Sequence, residues 1–321
     1  MSDRVPAEPE VARAIGRTVQ KVPPTAFFAT SAVFHYLGPS IAVLLFAHVA
    51  VLGVAWLRIA TAAVVFAVWR RPWRLFVRVD RSQRLVLAGL GLVLATMNSL
   101  FYLAIDRLPL STVGAIEFLG TVVLAAVGVR SRRNLVALAL AVVGVFVLTD
   151  VRLADEPLGF VFAFANCVGF MLYVMLAHRI ANTSVTSAGA GEPVVPLMSG
   201  IDQLAVSMLI AAAAAAPFGV MSAVPAFTHP TWLVWGIAVG VCSSVIPYVT
   251  DQLAMARLPR ATFALMLALL PAFATMIGLV VLSQVPTAQD LAGVALVIFG
   301  VALHHDSRDR DRSHPDPRRS G

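Results

Sequence analysis

WLRIATAAVVFAVWRRPWR, residues 56–74, is the end of a long apolar run closed by a cluster of arginines. A bilayer crossing takes about 20 mostly apolar residues at a rise of about 1.5 Å each. Residues 50–69 meet that length, with Arg58 as the one charge inside them, and Arg70, Arg71, Arg74, Arg78, Arg81 and Arg84 follow. Outward from this segment the same alternation fills the chain. Apolar stretches at 25–46, 50–69, 85–104, 111–129, 134–149, 158–177, 197–219, 231–253, 261–282 and 288–303 read as ten transmembrane helices, the fifth and tenth short enough to borrow flanking residues. The expected fold class is an all-α integral membrane protein.

Composition excludes the main alternatives. Hydrophobic residues make up 59% of the 321 and charged residues 13%, about half the charge of an ordinary soluble chain. The net charge of +7 does not point to nucleic acid, because the basic residues flank apolar spans. With the N-terminus placed in the cytoplasm, 21 of the 24 Lys and Arg fall on the cytoplasmic side; only Arg107 and Arg152 fall outside, and Arg58 lies within a span. The positive-inside rule thus predicts a multi-pass cell-membrane protein with both termini cytoplasmic. No Walker motif is present, and no polar stretch is long enough to build an ATPase domain. Cys167 and Cys242 lie within spans at no metal-binding spacing and are read as buried free thiols.

The chain also repeats itself. AIDRLPLSTVGAIEF at 104–118 aligns with AMARLPRATFALMLA at 254–268, so that Ala104, Arg107, Leu108, Pro109 and Thr112 recur 150 residues later. The two copies fall on opposite sides of the predicted topology. Two inverted five-helix halves follow, an arrangement common in secondary transporters. The expected organisation is a cytoplasmic N-terminal extension (1–24), a first five-helix repeat (25–149), an external linker (150–157), a second five-helix repeat (158–303) and a disordered cytoplasmic tail (304–321).

Taken with residues 56–74, the runs LATMNSLFYLAIDRLPLSTVGAIEFLG and SSVIPYVTDQLAMARLPRATFALMLALLPAF resemble the EamA branch of the drug/metabolite transporter superfamily. The resemblance extends from about Pro24 to about His304. It implies ten helices in two inverted EamA-like halves and export of small polar solutes, driven by a proton gradient or by substrate gradients. One departure stands out. Where the family's amino-acid exporters carry an acidic residue before a proline in the ninth span, this chain has Leu270 before Pro271.

Charges within spans are costly, at about 2.5–3.5 kcal/mol each on insertion scales. Each must be paired, hydrated or functional. Glu117 lies roughly 10 Å and Arg58 roughly 12 Å from the external ends of their spans, similar depths at which they could pair. Functionally, Arg58 would hold a substrate carboxylate by a bidentate bond, while Glu117 would meet an ammonium or carry a proton; structurally, the two would simply lock two helices. Asp251 and Asp202 sit near the cytoplasmic interface, where hydration or a salt bridge with Arg257 or Arg260 accounts for them. The sharper alternative for the pair is a cytoplasmic entry site. Asn98 and Tyr102 share one face of the third span, and Asn166, Phe170 and Tyr173 one face of the sixth. Tyr248 follows Pro247, and a proline frees a backbone carbonyl that protein, water or ligand must satisfy. Interhelical hydrogen bonding explains such polar residues as well as a binding site does. His35 reads either as a proton relay or as a satisfied buried histidine.

The candidate substrate-binding or coupling residues are therefore Glu117, Arg58, Asn98, Tyr102, Tyr173, Tyr248 and Asp251, with no catalytic residue, metal or cofactor expected. The expected partners are a small-molecule substrate, a proton, the lipid bilayer and a second copy of the chain. The leading functional expectation is export of amino acids or related metabolites by alternating access. Export of amphipathic or cationic compounds is the alternative within transport. A non-transporting receptor or assembly protein is the alternative outside it, and a membrane enzyme is disfavoured because no cluster of His, Asp or other catalytic residues gathers at one membrane face.

Overall fold

The computed structural model describes residues 22–73, 76, 80–128, 132–150, 156–186, 200–255, 257–258, 266–267 and 269–303. The N-terminal extension up to residue 21, most of the 150–157 linker, Arg260 and the tail from 304 lie outside the described residues. Among those described, the protein is helical throughout. The helices are α1 (Pro24–Leu45), α2 (Val51–Arg70), α3 (Arg81–Ile105), α4 (Leu110–Gly128), α5 (Arg132–Asp150), α6 (Pro157–Thr186), α7 (Gly200–Thr228), α8 (Pro230–Gly240), α9 (Ile246–Met255), α10 (Leu270–Leu282) and α11 (Ala288–Leu303). A π-helical turn, Val241–Val245, joins α8 to α9 without a break. Six candidate spans among the described residues are long and apolar enough to cross a membrane: Pro24–Leu45, Val51–Arg70, Arg81–Ile105, Pro157–Ala177, Gly200–Thr228 and Pro230–Asp251. The expected ninth span, 261–282, is described chiefly from Leu269 onward, and Pro271 occupies the first turn of α10, where its missing N–H costs nothing.

The ends of the helices show why the chain turns where it does. Asp80 caps α3 by accepting from the Gln83 amide at 3.0 Å. Thr287 and Asp290 cap α11 reciprocally: the Thr287 amide donates to the Asp290 carboxylate at 2.9 Å, and the Asp290 amide donates to the Thr287 hydroxyl at 3.1 Å. The Gln284 side-chain oxygen accepts from the Leu110 amide at 3.2 Å, so the α10–α11 loop caps α4.

Packing follows a recurring scheme. α5 runs along α11, α2 along α7, and α3 lies between α6 and α7. α1 packs on the α8–α9 rod, and α10 packs on α1 and α4. Close approach depends on glycine. Gly144 and Gly293 bring α5 and α11 together so tightly that a Cβ at either would lie within 3.0 Å of the other's carbonyl oxygen. Gly91, from the glycine-containing run of the third span, packs on Ile210 in the same way, as expected where small residues set helix spacing in a bilayer. Outward, Val64, Val68, Phe146, Phe218, Met221, Val280 and Phe299 stand well exposed. Such a surface would drive aggregation in water and is matched to hydrocarbon.

Candidate functional site

A cavity of about 320 Å³ lies within the bundle. It is lined from α1, α2, α3, α4, α6, the π turn, α9 and α10. Its lining runs from the middle of the bundle (Arg58, Glu117, Asn166) to the end at which α1 begins (Phe28, Ser31, Asp251). Six of the seven candidate residues are in that lining: Glu117, Arg58, Asn98, Tyr173, Tyr248 and Asp251. The seventh, Tyr102, is fully buried behind the wall, and the Arg58 guanidinium lies over its ring at 5.4 Å. That places a cation–π contact on the far side of the arginine.

Arg58 is held by the π turn. Its Nε donates to the Ser244 hydroxyl at 3.1 Å and an Nη donates to the Ser243 carbonyl at 3.2 Å. The sequence explains the second bond. Pro247 has no N–H to offer the carbonyl four residues back, which is that of Ser243, and so leaves it available. The two serines were not singled out from the sequence; counting back four from Pro247 would have found Ser243. Gly38 on α1 lets the turn approach, since a Cβ there would lie 2.7 Å from the Ser243 backbone nitrogen.

No ion pair joins Arg58 to Glu117, although both line the cavity. Glu117 is 7% exposed, and its Oε1 accepts from the Asn166 amide at 3.4 Å while Oε2 has no hydrogen-bond partner. Asn98 and Asn166 have different roles. Asn98 donates to the Leu94 carbonyl of its own helix at 2.7 Å, whereas Asn166 reaches across to α4.

Asp251 and Asp202 also part company. Asp251 lines the cavity beside Ser31, whose hydroxyl donates to the Pro247 carbonyl at 3.4 Å. Asp202 is buried and pairs with Arg70, with Nε–Oδ1 at 2.6 Å, tying the start of α7 to the end of α2. Arg70, which the sequence reading did not name, is thus an ion-pair partner of Asp202, because α2 and α7 run side by side, which sequence distance conceals. His35 lines the cavity. Cys167 and Cys242 are free, and no group of three His, Cys, Asp or Glu residues suited to a metal occurs among the described residues.

Comparison with known proteins places the chain in a family. Residues 194–304 match the model of the EamA-like transporter family. The threonine/homoserine exporter RhtA of Salmonella typhimurium strain SL1344 is 33% identical over 261 residues, covering 81% of this chain and 84% of that protein. RhtA of Escherichia coli K12 is 32% identical over 265 residues, with the same coverage. One crystal structure of another protein shares the fold at a TM-score of 0.54, with 17% identity, covering 91% of this chain and 99% of that one. With a relative of this identity aligned over four-fifths of its length, the chain belongs to the EamA-like transporter family and is a multi-pass membrane transporter.

Proposed function

We propose that this transporter exports amino acids from the cytoplasm by alternating access, holding the substrate between Arg58 and Glu117. One observation carries the reading: the cavity presents a fixed donor group and an acceptor group in one lining. Arg58 suits a carboxylate and Glu117 an ammonium, the two charges common to every amino acid. The likeness to exporters of threonine and homoserine supports the substrate class. Glu117 also serves as the proton carrier, being a carboxyl that can alternate between proton and substrate.

The mechanism rests on ten helices in two inverted halves, residues 25–149 and 158–303, with both termini cytoplasmic. The packing scheme supports the halves. Taking α8, the π turn and α9 as one span and exchanging each span for its counterpart five along maps several of the main contacts onto other observed contacts. The α3–α6 contact becomes that of α9 with α1, α3–α7 becomes α8–α2, and α4–α6 becomes α10–α1. The α2–α7, α4–α10 and α5–α11 contacts map onto themselves. The distribution of 21 of 24 basic residues supports the orientation. In that orientation the cavity reaches toward the cytoplasm.

A second reading, export of cationic amphipathic compounds, is favoured by two carboxylates, Glu117 and Asp251, facing one guanidinium, and by Phe28, Phe101, Phe118, Phe170 and Leu270 in the wall. Counterflow in proteoliposomes with labelled amino acids and cationic dyes separates the readings. Exchange of amino acids and not dyes is expected; exchange of dyes alone would replace the first reading by the second.

A further inference from the structure

We infer that Asn166 and Glu117 together form a seat for a primary ammonium, and that Asn166 is a specificity-determining residue. This rests on the amino-acid reading above and adds to it a group that chooses among amines. An ionised carboxylate can only accept hydrogen bonds, so the Asn166 amide must turn its NH₂ toward Glu117. Its Oδ1 is thereby committed to the other side. Asn166 is fully buried, and both its Oδ1 and the Glu117 Oε2 lack a hydrogen-bond partner. Two buried acceptors, on residues from different helices that both line the cavity and touch each other, thus receive no hydrogen bond from the protein. Of the same lining, Phe118, Phe170 and Met97 offer no donor.

Buried acceptors are rarely left unmet, so the ligand is a donor. A single proton on Glu117 meets one of the two oxygens. A primary ammonium carries three N–H groups, enough to meet both and keep one for a further contact. A quaternary ammonium has the charge and no N–H. It would leave both oxygens unsatisfied, although the aromatic lining would attract it. The seat therefore distinguishes amines by donor count.

The test uses the full-length protein in proteoliposomes. Exchange of labelled threonine is measured with increasing unlabelled threonine, N,N-dimethylthreonine, N-trimethylthreonine or the matching hydroxy acid as competitor. We expect the dimethyl, trimethyl and hydroxy forms to compete at least tenfold more weakly than threonine. Asn166→Ala should reduce the threonine-to-dimethylthreonine ratio to under threefold, and Asn166→Thr, which keeps an acceptor oxygen, should restore part of it. Equal competition by threonine and its dimethyl form in the wild type overturns the inference, as does an unchanged ratio in a folded Asn166→Ala. If neither variant folds, the wild-type series decides. If the wild type exchanges no amino acid, it is the amino-acid reading that fails, and the seat is judged by thermal stabilisation of the purified protein. Stabilisation by methylammonium and not by tetramethylammonium supports the seat, whereas equal stabilisation or none removes it.

Discussion

Replacing Gly38 by alanine tests whether the grip of the π turn on Arg58 depends on helix spacing. A Cβ at position 38 would lie 2.1 Å from the Ser243 hydroxyl oxygen, 2.7 Å from its backbone nitrogen and 2.9 Å from its Cα. The hydroxyl can rotate away; the two backbone atoms cannot. Restoring a contact of 3.4 Å from 2.7 Å requires α1 and the turn to separate by about 0.7 Å. If the turn shifts by that amount away from Arg58, the bonds now at 3.1 and 3.2 Å lengthen past the range in which N–H···O bonds hold. Overpacking against backbone costs about 3 kcal/mol, the upper part of its usual range. The helix gains about 1 kcal/mol from Gly to Ala, leaving a net loss of about 2 kcal/mol. Losing one charged hydrogen bond, about 1.5 kcal/mol, implies a drop in exchange of about tenfold. The assays are thermal unfolding of the purified protein in detergent and threonine counterflow. Gly89→Ala is the internal control, because a Cβ there meets only a Leu176 methyl at 4.0 Å. If Gly38→Ala matched Gly89→Ala in both stability and exchange, the spacing argument would be wrong.

Glu117→Gln keeps the size and most of the hydrogen bonding of the side chain, so the protein should remain folded and lose gradient-driven transport. Loss of pH dependence with surviving exchange marks a proton carrier, a weakened affinity with pH dependence retained marks an ammonium ligand, and wild-type behaviour in both assigns Glu117 to structure. Asp202→Asn should destabilise the protein by an amount between the ~1 kcal/mol of an exposed pair and the ~3–5 kcal/mol of a buried one, because Asp202 is buried while Arg70 is about one-third exposed. The reversed pair, Arg70→Asp with Asp202→Arg, should recover part of that loss in thermal unfolding, and no recovery would mean the contact is incidental. In a background with Cys167 and Cys242 replaced, Arg78→Cys should resist a membrane-impermeant thiol reagent on intact cells; rapid labelling would reverse the orientation.

Much of the architecture was legible in one dimension because the bilayer imposes a length and a charge rule. Apolar runs must be long enough to cross, so candidate spans follow from the chain alone, and the bias of basic residues to one side gives the orientation proposed above. Arg58 and Glu117 stood out for the same reason: a charge within a span is costly and demands a partner. The sequence did not settle which face each helix turns inward. In a soluble helix one apolar stripe marks the core. Here lipid and interior are both apolar, so α2, apolar apart from Arg58, Thr61 and its terminal Arg70, shows no stripe.

Facing was therefore decided by packing, through glycine contacts and bonds between residues far apart in sequence. Arg58 meets Ser243 and Ser244 across some 185 residues, and Asp202 meets Arg70 across 132. Asn98 and Asn166 look alike in sequence, yet one is spent on its own helix and the other reaches the glutamate. Tyr102 shares a helix face with Asn98 and still lies behind the wall, under the arginine. What the sequence determined by itself was the membrane class and the charged residues to examine. Only the tertiary structure decided which of them share a cavity, because that depends on how closely neighbouring helices approach and not on any pattern within one helix.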